Sequence, residues 1–157
     1  MSDSANDGRP ETEEQRLDRN WSELLQEVRV AQTGTQILTG FLLTLAFQQR
    51  FTHLTTLQVD IYLALVIVSG LTTAVALAPV ALHRALFREG AKEWIVRATD
   101  YLVKATLVGV GLALTGTVLL VFDVVVGTAA GITAAVIAAI ITVLIWLVLP
   151  VFARHRR

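Results

Sequence analysis

Long apolar stretches separated by short polar segments dominate this chain from about residue 31 onward. The last of them runs from Ala105 to Ala153 with a single charged side chain, Asp123. A helix rises about 1.5 Å per residue and the apolar core of a bilayer is about 30 Å thick, so this stretch is long enough for two crossings. It therefore predicts two membrane-spanning helices joined by a turn near Asp123.

The whole pattern predicts four membrane spans. They cover residues 31–47, 59–82, 102–122 and 127–152. Thr55 and Gln58 have the spacing of a capping box at the start of the second span, and Pro79 lies near its end. No alternating β pattern competes, so the predicted fold is all-α, an integral membrane four-helix bundle.

Two polar segments have helical periodicity of their own. They lie between Asn20 and the first span, and between the second and third spans. We expect both to form amphipathic helices on the membrane surface. Asn20 and Glu23 approximate a capping box, so Asn20 is a candidate helix cap. Residues 1–19 are acidic and poor in large apolar groups, which predicts a disordered tail before a 20–157 membrane domain.

Basic residues are distributed unevenly along this pattern. Of the 13 Lys and Arg residues, only Arg50 falls in a predicted external loop. The other twelve lie before the first span, between the second and third spans, or after the fourth. The positive-inside rule therefore predicts that both termini are cytoplasmic, in the inner (plasma) membrane. The composition agrees, because 54% hydrophobic residues exceeds the usual soluble range of about 45–50%.

Polar side chains cluster within the first span. Gln32 and Gln36 are one helical turn apart, with Thr35 and Thr39 beside them. An amide facing lipid is costly, so this side is expected to face another helix. The group then either links helices by hydrogen bonds or lines a polar path for an ion or small solute.

A basic stripe precedes the third span. Arg84, Arg88 and Lys92 recur at four-residue spacing, which suits contact with anionic phospholipid, each charge contributing about 1 kcal/mol near such a surface. The alternative is that they only set the membrane orientation.

Small residues also recur four apart in the later spans. This spacing fits close packing within one chain, a homo-oligomer or contact with a membrane protein partner.

The chain is poor in groups that perform chemistry. Asp60 and Asp123 lie at predicted span ends, where we interpret them as helix caps. The sequence has no cysteine, and its histidines lie too far apart to share a metal, so no cofactor is expected. The arginine-rich C-terminus is too short for a nucleic-acid module. An enzyme is not expected; a lipid-modifying one would need a cytoplasmic pair such as His83 with Asp100 or Glu89.

Two segments resemble an uncharacterised family of small four-span membrane proteins common in actinobacteria. They are ELLQEVRVAQTGTQILTGFLLTLAFQQRF, from Glu23 to Phe51, and APVALHRALFREG, from Ala78 to Gly90. The resemblance covers about residues 20–122 and implies an integral membrane protein of unknown biochemical role. Some members of that family carry a sodium/proton antiporter label.

Two functions follow as hypotheses. The first is a non-enzymatic membrane protein with a structural or accessory role and with lipid or protein partners. The alternative is a small transporter or channel for a cation or proton, with Gln32, Gln36 and the neighbouring threonines along its path.

Overall fold

Four helices account for nearly all residues that the computed structural model describes, which are 12–86, 92–148 and 151–152. α1 is Glu13–Leu45, α2 is Thr56–Leu86, α3 is Lys92–Val125 and α4 is Thr128–Val143. A short 3-10 helix, Gln49–His53, connects α1 to α2, and α4 continues into a π-helical turn, Leu144–Val148. The all-α prediction is confirmed for these residues.

α1 begins earlier than the sequence pattern predicts. The Thr12 hydroxyl accepts a hydrogen bond from the backbone N–H of Gln15, and the Gln15 side chain accepts one from the N–H of Thr12. This capping box starts a 33-residue helix. The predicted tail is therefore wrong for residues 13–19, and Asn20 is not a cap because it lies inside α1. No Gly or Pro occurs between residues 13 and 33 that would end the helix.

Neither predicted surface helix is separate from the apolar helical segment that follows it. α1 has no boundary between its polar first half and its apolar second half, and α3 is likewise continuous from Lys92 to Val125. The prediction of distinct surface helices is thus wrong within the described residues. α1 alone is about 50 Å long at 1.5 Å per residue, longer than a bilayer core is thick. The polar segments at the starts of α1 and α3 are therefore continuous with the apolar parts of the same helices.

Close approach of α2 and α3 depends on glycine. A Cβ atom added at Gly109 would overlap the side chain of Thr72, and one at Gly116 would overlap Leu65. These two contacts define an antiparallel register between the helices. α4 packs against α3 through Gly131, where a Cβ would lie only 2.9 Å from the backbone oxygen of Leu119. Such small residues are typical of helix pairs in membranes.

A small apolar core lies at one end of the bundle. It consists of Leu42, Tyr62, Leu65 and Leu120, contributed by α1, α2 and α3. α3 and α4 are joined by a tight turn at Gly127, whose φ of 124° is a left-handed conformation that side chains rarely adopt. The predicted turn near Asp123 therefore comes a few residues later, between α3 and α4.

Among the described helices, three are long and apolar enough to cross a membrane. Their apolar lengths are Thr56–Leu82, Trp94–Val125 and Thr128–Val148. Large aliphatic side chains on these helices are widely exposed, for example Ile67, Leu112 and Ile137. An apolar outer surface on apolar helices indicates a membrane protein. α1 is more polar than these three helices.

Candidate functional site at the α1–α2–α3 interface

Hydroxyl and amide side chains line the interface of α1, α2 and α3, and we call this group the polar seam. Its members are Gln32, Thr35 and Thr39 of α1, Ser69, Thr72 and Thr73 of α2, and Thr99 and Thr106 of α3. Five of the eight are buried, and all five are neutral hydroxyl side chains. The buried polar side chains among the described residues are thus all uncharged.

Gln32 connects α1 to α2 beside a proline. Its Nε2 atom donates to the backbone oxygen of Ala76 at 2.9 Å. Ala76 lies in the turn before Pro79, and proline both lacks an N–H and crowds the preceding turn of its helix. In a membrane, neighbouring side chains commonly supply hydrogen bonds at such a place. Pro79 has no N–H for the backbone oxygen of Val75, so Gln32 contacts α2 one residue from the position of a missing helix bond.

A second link joins the same helices through two hydroxyl groups. The oxygens of Thr39 and Thr73 are 3.4 Å apart. Thr73 already donates its proton to the backbone oxygen of Ser69 at 2.9 Å. A hydroxyl has one proton, so Thr39 must be the donor between the two threonines. The result is a chain of bonds from α1 into the middle of α2.

Three other hydroxyls of the polar seam bond to their own helices. Thr35 donates to Gln32, Thr72 to Val68 and Thr106 to Leu102, in each case to a backbone oxygen three or four residues earlier. This is the usual way in which a helix satisfies a buried hydroxyl. The protons are used internally, and only oxygen lone pairs remain available.

Two buried hydroxyls lack a partner in the described structure. They are Oγ of Ser69 and Oγ1 of Thr99. An unsatisfied buried polar group costs about 1–3 kcal/mol. The Thr72–Gly109 register places Ser69 about level with Leu112, 13 residues from Thr99 along α3, or about 20 Å at 1.5 Å per residue. The two hydroxyls therefore do not share one site.

Gln36 lies apart from the other candidate residues of α1. Its side chain is exposed, whereas Thr35 is buried and Gln32 and Thr39 are partly buried. The inner face of α1 is marked by Val28, Thr35 and Leu42 at seven-residue spacing. The structure therefore brings Gln32, Thr35 and Thr39 against α2 and α3, and leaves Gln36 on the bundle surface.

Asp123 joins three helices at the end where α3 stops. Its carboxylate accepts a hydrogen bond of 2.7 Å from Nε2 of Gln58, near the start of α2, and also interacts with the side chain of Thr128 in α4. It lies inside α3 and is not the N-cap of α4, but its interaction with Thr128 spans the α3–α4 turn at which a cap was predicted. The residue that caps α4 is Gly127, which uses no side chain.

The start of α2 is capped by Thr55 rather than by Asp60. The hydroxyl of Thr55 accepts from the N–H of Gln58, and the Gln58 side chain accepts from the N–H of Thr55. This confirms the predicted capping box. Asp60 lies beyond the first turn of α2, so its predicted role as a cap is wrong. The Gln58 side chain thus makes two hydrogen bonds. Its Oε1 accepts from the backbone N–H of Thr55, and its Nε2 donates to Asp123.

An apolar crevice of about 140 Å³ opens at the same end of the bundle. Arg50 lies at its edge and donates to the backbone oxygen of Val124 at 3.2 Å, close to the negative C-terminal end of α3. Tyr62 lines the crevice with Phe51, and the rings meet edge to face with centroids 4.9 Å apart. The Tyr62 hydroxyl donates to the backbone oxygen of Leu42 at 3.0 Å.

The predicted anionic-lipid stripe is only partly described. Arg84 is exposed near the end of α2. Arg88 and the side chain of Lys92 lie outside the described residues. Arg84 lies at the opposite end of α2 from Arg50 and its connection, so the two basic groups mark opposite ends of the bundle.

Sequence reasoning missed most of the polar seam. Ser69, Thr72 and Thr73 repeat at helical spacing within an apolar span, together with the buried Ala76. That spacing, read as one helix face, was the available signal. Tyr62, which lies outside the polar seam, was also missed. Its weaker signal was an aromatic side chain with a polar group inside a predicted span. Thr99 and Thr106 are seven residues apart on α3 and share a face in the same way.

These features define a class: an all-helical bundle with three helices able to cross a membrane and a neutral polar interior. The chain belongs to a family of unknown function, DUF6328, whose model matches residues 10–150. No curated protein and no solved structure is detectably similar to it. Membership gives no biochemical role, so a proposal of function must come from the geometry.

Proposed function

We propose that α1 is a fourth span, which makes the chain a four-span integral membrane protein. The depth at which α1 packs carries this proposal. Gln32 bonds to Ala76, and the backbone oxygen of Leu42 accepts from Tyr62. Both partners lie within the apolar length Thr56–Leu82 of α2. If α2 crosses a bilayer, the α1 residues between these contacts lie in the same layer.

We further propose that both termini are cytoplasmic and that the protein lies in the inner membrane. With four spans, the two ends of the chain fall on one side. Twelve of the 13 Lys and Arg residues would then be cytoplasmic, with Arg50 on the other side. This distribution supports the orientation through the positive-inside rule.

The role that we propose is structural or accessory and non-enzymatic, exercised through lipid or protein partners. The hydrogen bonds of the polar seam support it. Gln32 and Thr39 use their donors to join α1 to α2, and three threonines bond to their own backbones. Groups that are committed to holding helices together are poorly placed to release and rebind an ion.

Anionic phospholipid is the lipid partner that we propose. Arg84 supplies an exposed positive charge near the end of α2, and Arg88 and Lys92 follow it in the sequence. A cluster of basic residues next to a span is attracted to a negatively charged leaflet. The contact would also help to hold the cytoplasmic ends of α2 and α3 at the membrane surface.

The unpartnered hydroxyls favour a second candidate function, a small cation or proton transporter. Ser69 Oγ is buried next to the Thr39–Thr73 link, and Thr99 Oγ1 is buried further along α3. Oxygen atoms of this kind bind alkali cations or water. In this candidate the path would follow the polar seam and would exclude Gln36.

A flux assay separates the two candidates. Purified protein in sealed vesicles is tested under imposed Na⁺ and pH gradients, as wild type, Gln32→Leu and Gln36→Leu. The accessory role predicts no flux above protein-free vesicles in any of the three, with insertion checked by protease protection. Wild-type flux that falls in Gln32→Leu and persists in Gln36→Leu would replace the accessory role with transport.

Cysteine labelling tests the topology, because the natural chain has no cysteine. Single cysteines at Ser4 and His155 should escape an impermeant maleimide in intact cells, and one at Gln49 should react. Labelling of only one terminus would indicate three spans instead of four. Labelling of both termini would reverse the proposed orientation.

A further inference from the structure

α1 has an outward face that differs from those of the other helices. It consists of Thr33, Gln36, Gly40 and Thr44, all of which are exposed. We call these four residues the outer face of α1. Thr33, Gly40 and Thr44 lie on the side opposite Val28, Thr35 and Leu42. Gln36 lies about 100° around the helix from Thr35, between that side and the edge of the interface with α2. The exposed large residues of α4, such as Ile132, Val136 and Ile140, are aliphatic, and α1 also exposes Ile37 and Phe41 beside its polar and small residues.

The amide of Gln36 is the polar group on this face that calls for a partner. Gln36 lies between Gln32, which bonds to Ala76, and Thr39, which meets Thr73. It is therefore level with a part of α2 about two helical turns inside the apolar length that ends at Leu82. Lipid tails offer no hydrogen bond to an amide at that depth.

The rest of the outer face is small and has little unmet polarity. Thr33 donates to the backbone oxygen of Arg29 at 3.0 Å, and Thr44 to that of Gly40 at 2.9 Å. A Cβ atom added at Gly40 would meet no atom within 4 Å. Another helix could therefore approach closely at Gly40, one turn from Gln36.

We propose that a second copy of this chain covers the outer face of α1, through a parallel α1–α1 contact centred on Gln36 and Gly40. The inference rests on the proposed membrane placement of α1. Copies that insert in the same orientation have parallel α1 helices, and a twofold axis along the membrane normal then sets each residue opposite its own counterpart. An amide both donates and accepts, so two Gln36 side chains satisfy each other.

Self-complementarity is what distinguishes this occupant from others. A lipid can fill the shape beside Gly40 but leaves the amide unpaired. A different membrane protein would need its own amide or hydroxyl at the matching depth, whereas a second copy supplies one by symmetry. The small pair Gly70 and Ala74 on α2 is also exposed, but it carries no polar group.

Cross-linking tests the contact directly. Single cysteines are placed at Gln36, Gly40 and Gly34 of the cysteine-free chain, and the protein is oxidised in native membranes. Gly34 is the matched control, because it also has open space around it and lies about 120° around the helix from Gly40. We expect disulfide dimers for Gln36→Cys and Gly40→Cys and at least fivefold less for Gly34→Cys. Equal yields at all three positions would reflect random collision and would overturn the proposal.

A second measurement replaces glycine with a large side chain instead of introducing a cysteine. Gly40→Leu should lower the dimer fraction, measured by energy transfer between labelled copies in vesicles, by at least tenfold. Gly34→Leu and Gly70→Leu should leave it unchanged. A Cβ atom added at any of these three glycines meets no atom within 4 Å, so we expect the fold of the single chain to be preserved. Sensitivity at Gly70 alone would place the interface on α2 and overturn the proposal.

The failure of this inference can be told from the failure of the four-span topology. Gln36→Cys is also treated with an impermeant maleimide in unsealed membranes. A cysteine that reacts from water shows that α1 does not cross, and both proposals fall. A cysteine that neither reacts nor cross-links leaves α1 in the membrane and overturns the dimer alone. Cross-linking to a different protein instead of a second copy would equally overturn it.

Discussion

Removal of one oxygen atom, by Tyr62→Phe, tests how α1 is held against α2. Tyr62 is 5% exposed, and its hydroxyl donates to the backbone oxygen of Leu42. In an uninterrupted helix that oxygen would accept from the N–H of Ala46, but this N–H turns to Thr44 at the end of α1. Tyr62 therefore satisfies a carbonyl that the helix end has released.

The magnitude follows from what the substitution leaves behind. The ring and its edge-to-face contact with Phe51 remain, so the cost comes from a buried carbonyl that has lost its donor. Such a loss costs about 1–3 kcal/mol in soluble proteins, whereas side-chain hydrogen bonds in membrane proteins average about 0.6 and reach about 1.7 kcal/mol. We expect the free energy of unfolding to fall by about 1–2 kcal/mol, a five- to thirtyfold change in the folding equilibrium.

The assay is reversible unfolding in mixed micelles with increasing SDS, followed by circular dichroism. Tyr101→Phe is the matched control, because Tyr101 is the only other tyrosine and is 72% exposed on α3. It should unfold like the wild type. If Tyr62→Phe and Tyr101→Phe both agree with the wild type within about 0.3 kcal/mol, the Leu42 oxygen has another partner and the reasoning on α1 docking fails.

Three further substitutions test other parts of the structure. Gly109→Ala should destabilise the bundle by at least about 1 kcal/mol in the same assay, because its Cβ meets an α2 side chain, whereas Gly70→Ala, with open space, should not. Gly127→Ala should cost about 1–2 kcal/mol, since its φ of 124° strains any residue with a Cβ; an unchanged midpoint would mean that the turn relaxes freely. Arg84→Gln should weaken retention of anionic phospholipid, measured by native mass spectrometry, whereas Arg50→Gln should not; equal losses would argue against a lipid contact at the Arg84 end of the bundle.

The helices themselves could be predicted from the sequence because their signals are local. Each of the four apolar stretches is helical, and the Thr55–Gln58 capping box lies where the spacing placed it. Asn20 and Glu23 have the same spacing, but no helix begins there. A capping pattern starts a helix only where no helix already exists, and here Thr12 and Gln15 start it about two turns earlier.

Roles that depend on distant partners could not be predicted in this way. Asp123 meets Gln58, 65 positions away in the chain, so its environment depends on how α2 and α3 pack. The separation of Gln32 from Gln36 is a matter of angle. Four residues turn a helix by about 40° beyond a full turn, which is enough to carry Gln36 past the edge of the interface that holds Gln32. The width and direction of that interface become known only when α2 and α3 are in place.

α1 is more polar than α2, α3 and α4, and it still packs beside them. Its inner polar groups, Gln32 and Thr39, are paired with α2, so their presence is no obstacle to insertion once the bundle has formed. Its outer amide, Gln36, gains no such pairing among the described residues. A first span of this kind would be stable in the membrane only after α2 has joined it from one side and a partner from the other. Insertion of α1 and assembly of the protein would then be a single coupled equilibrium.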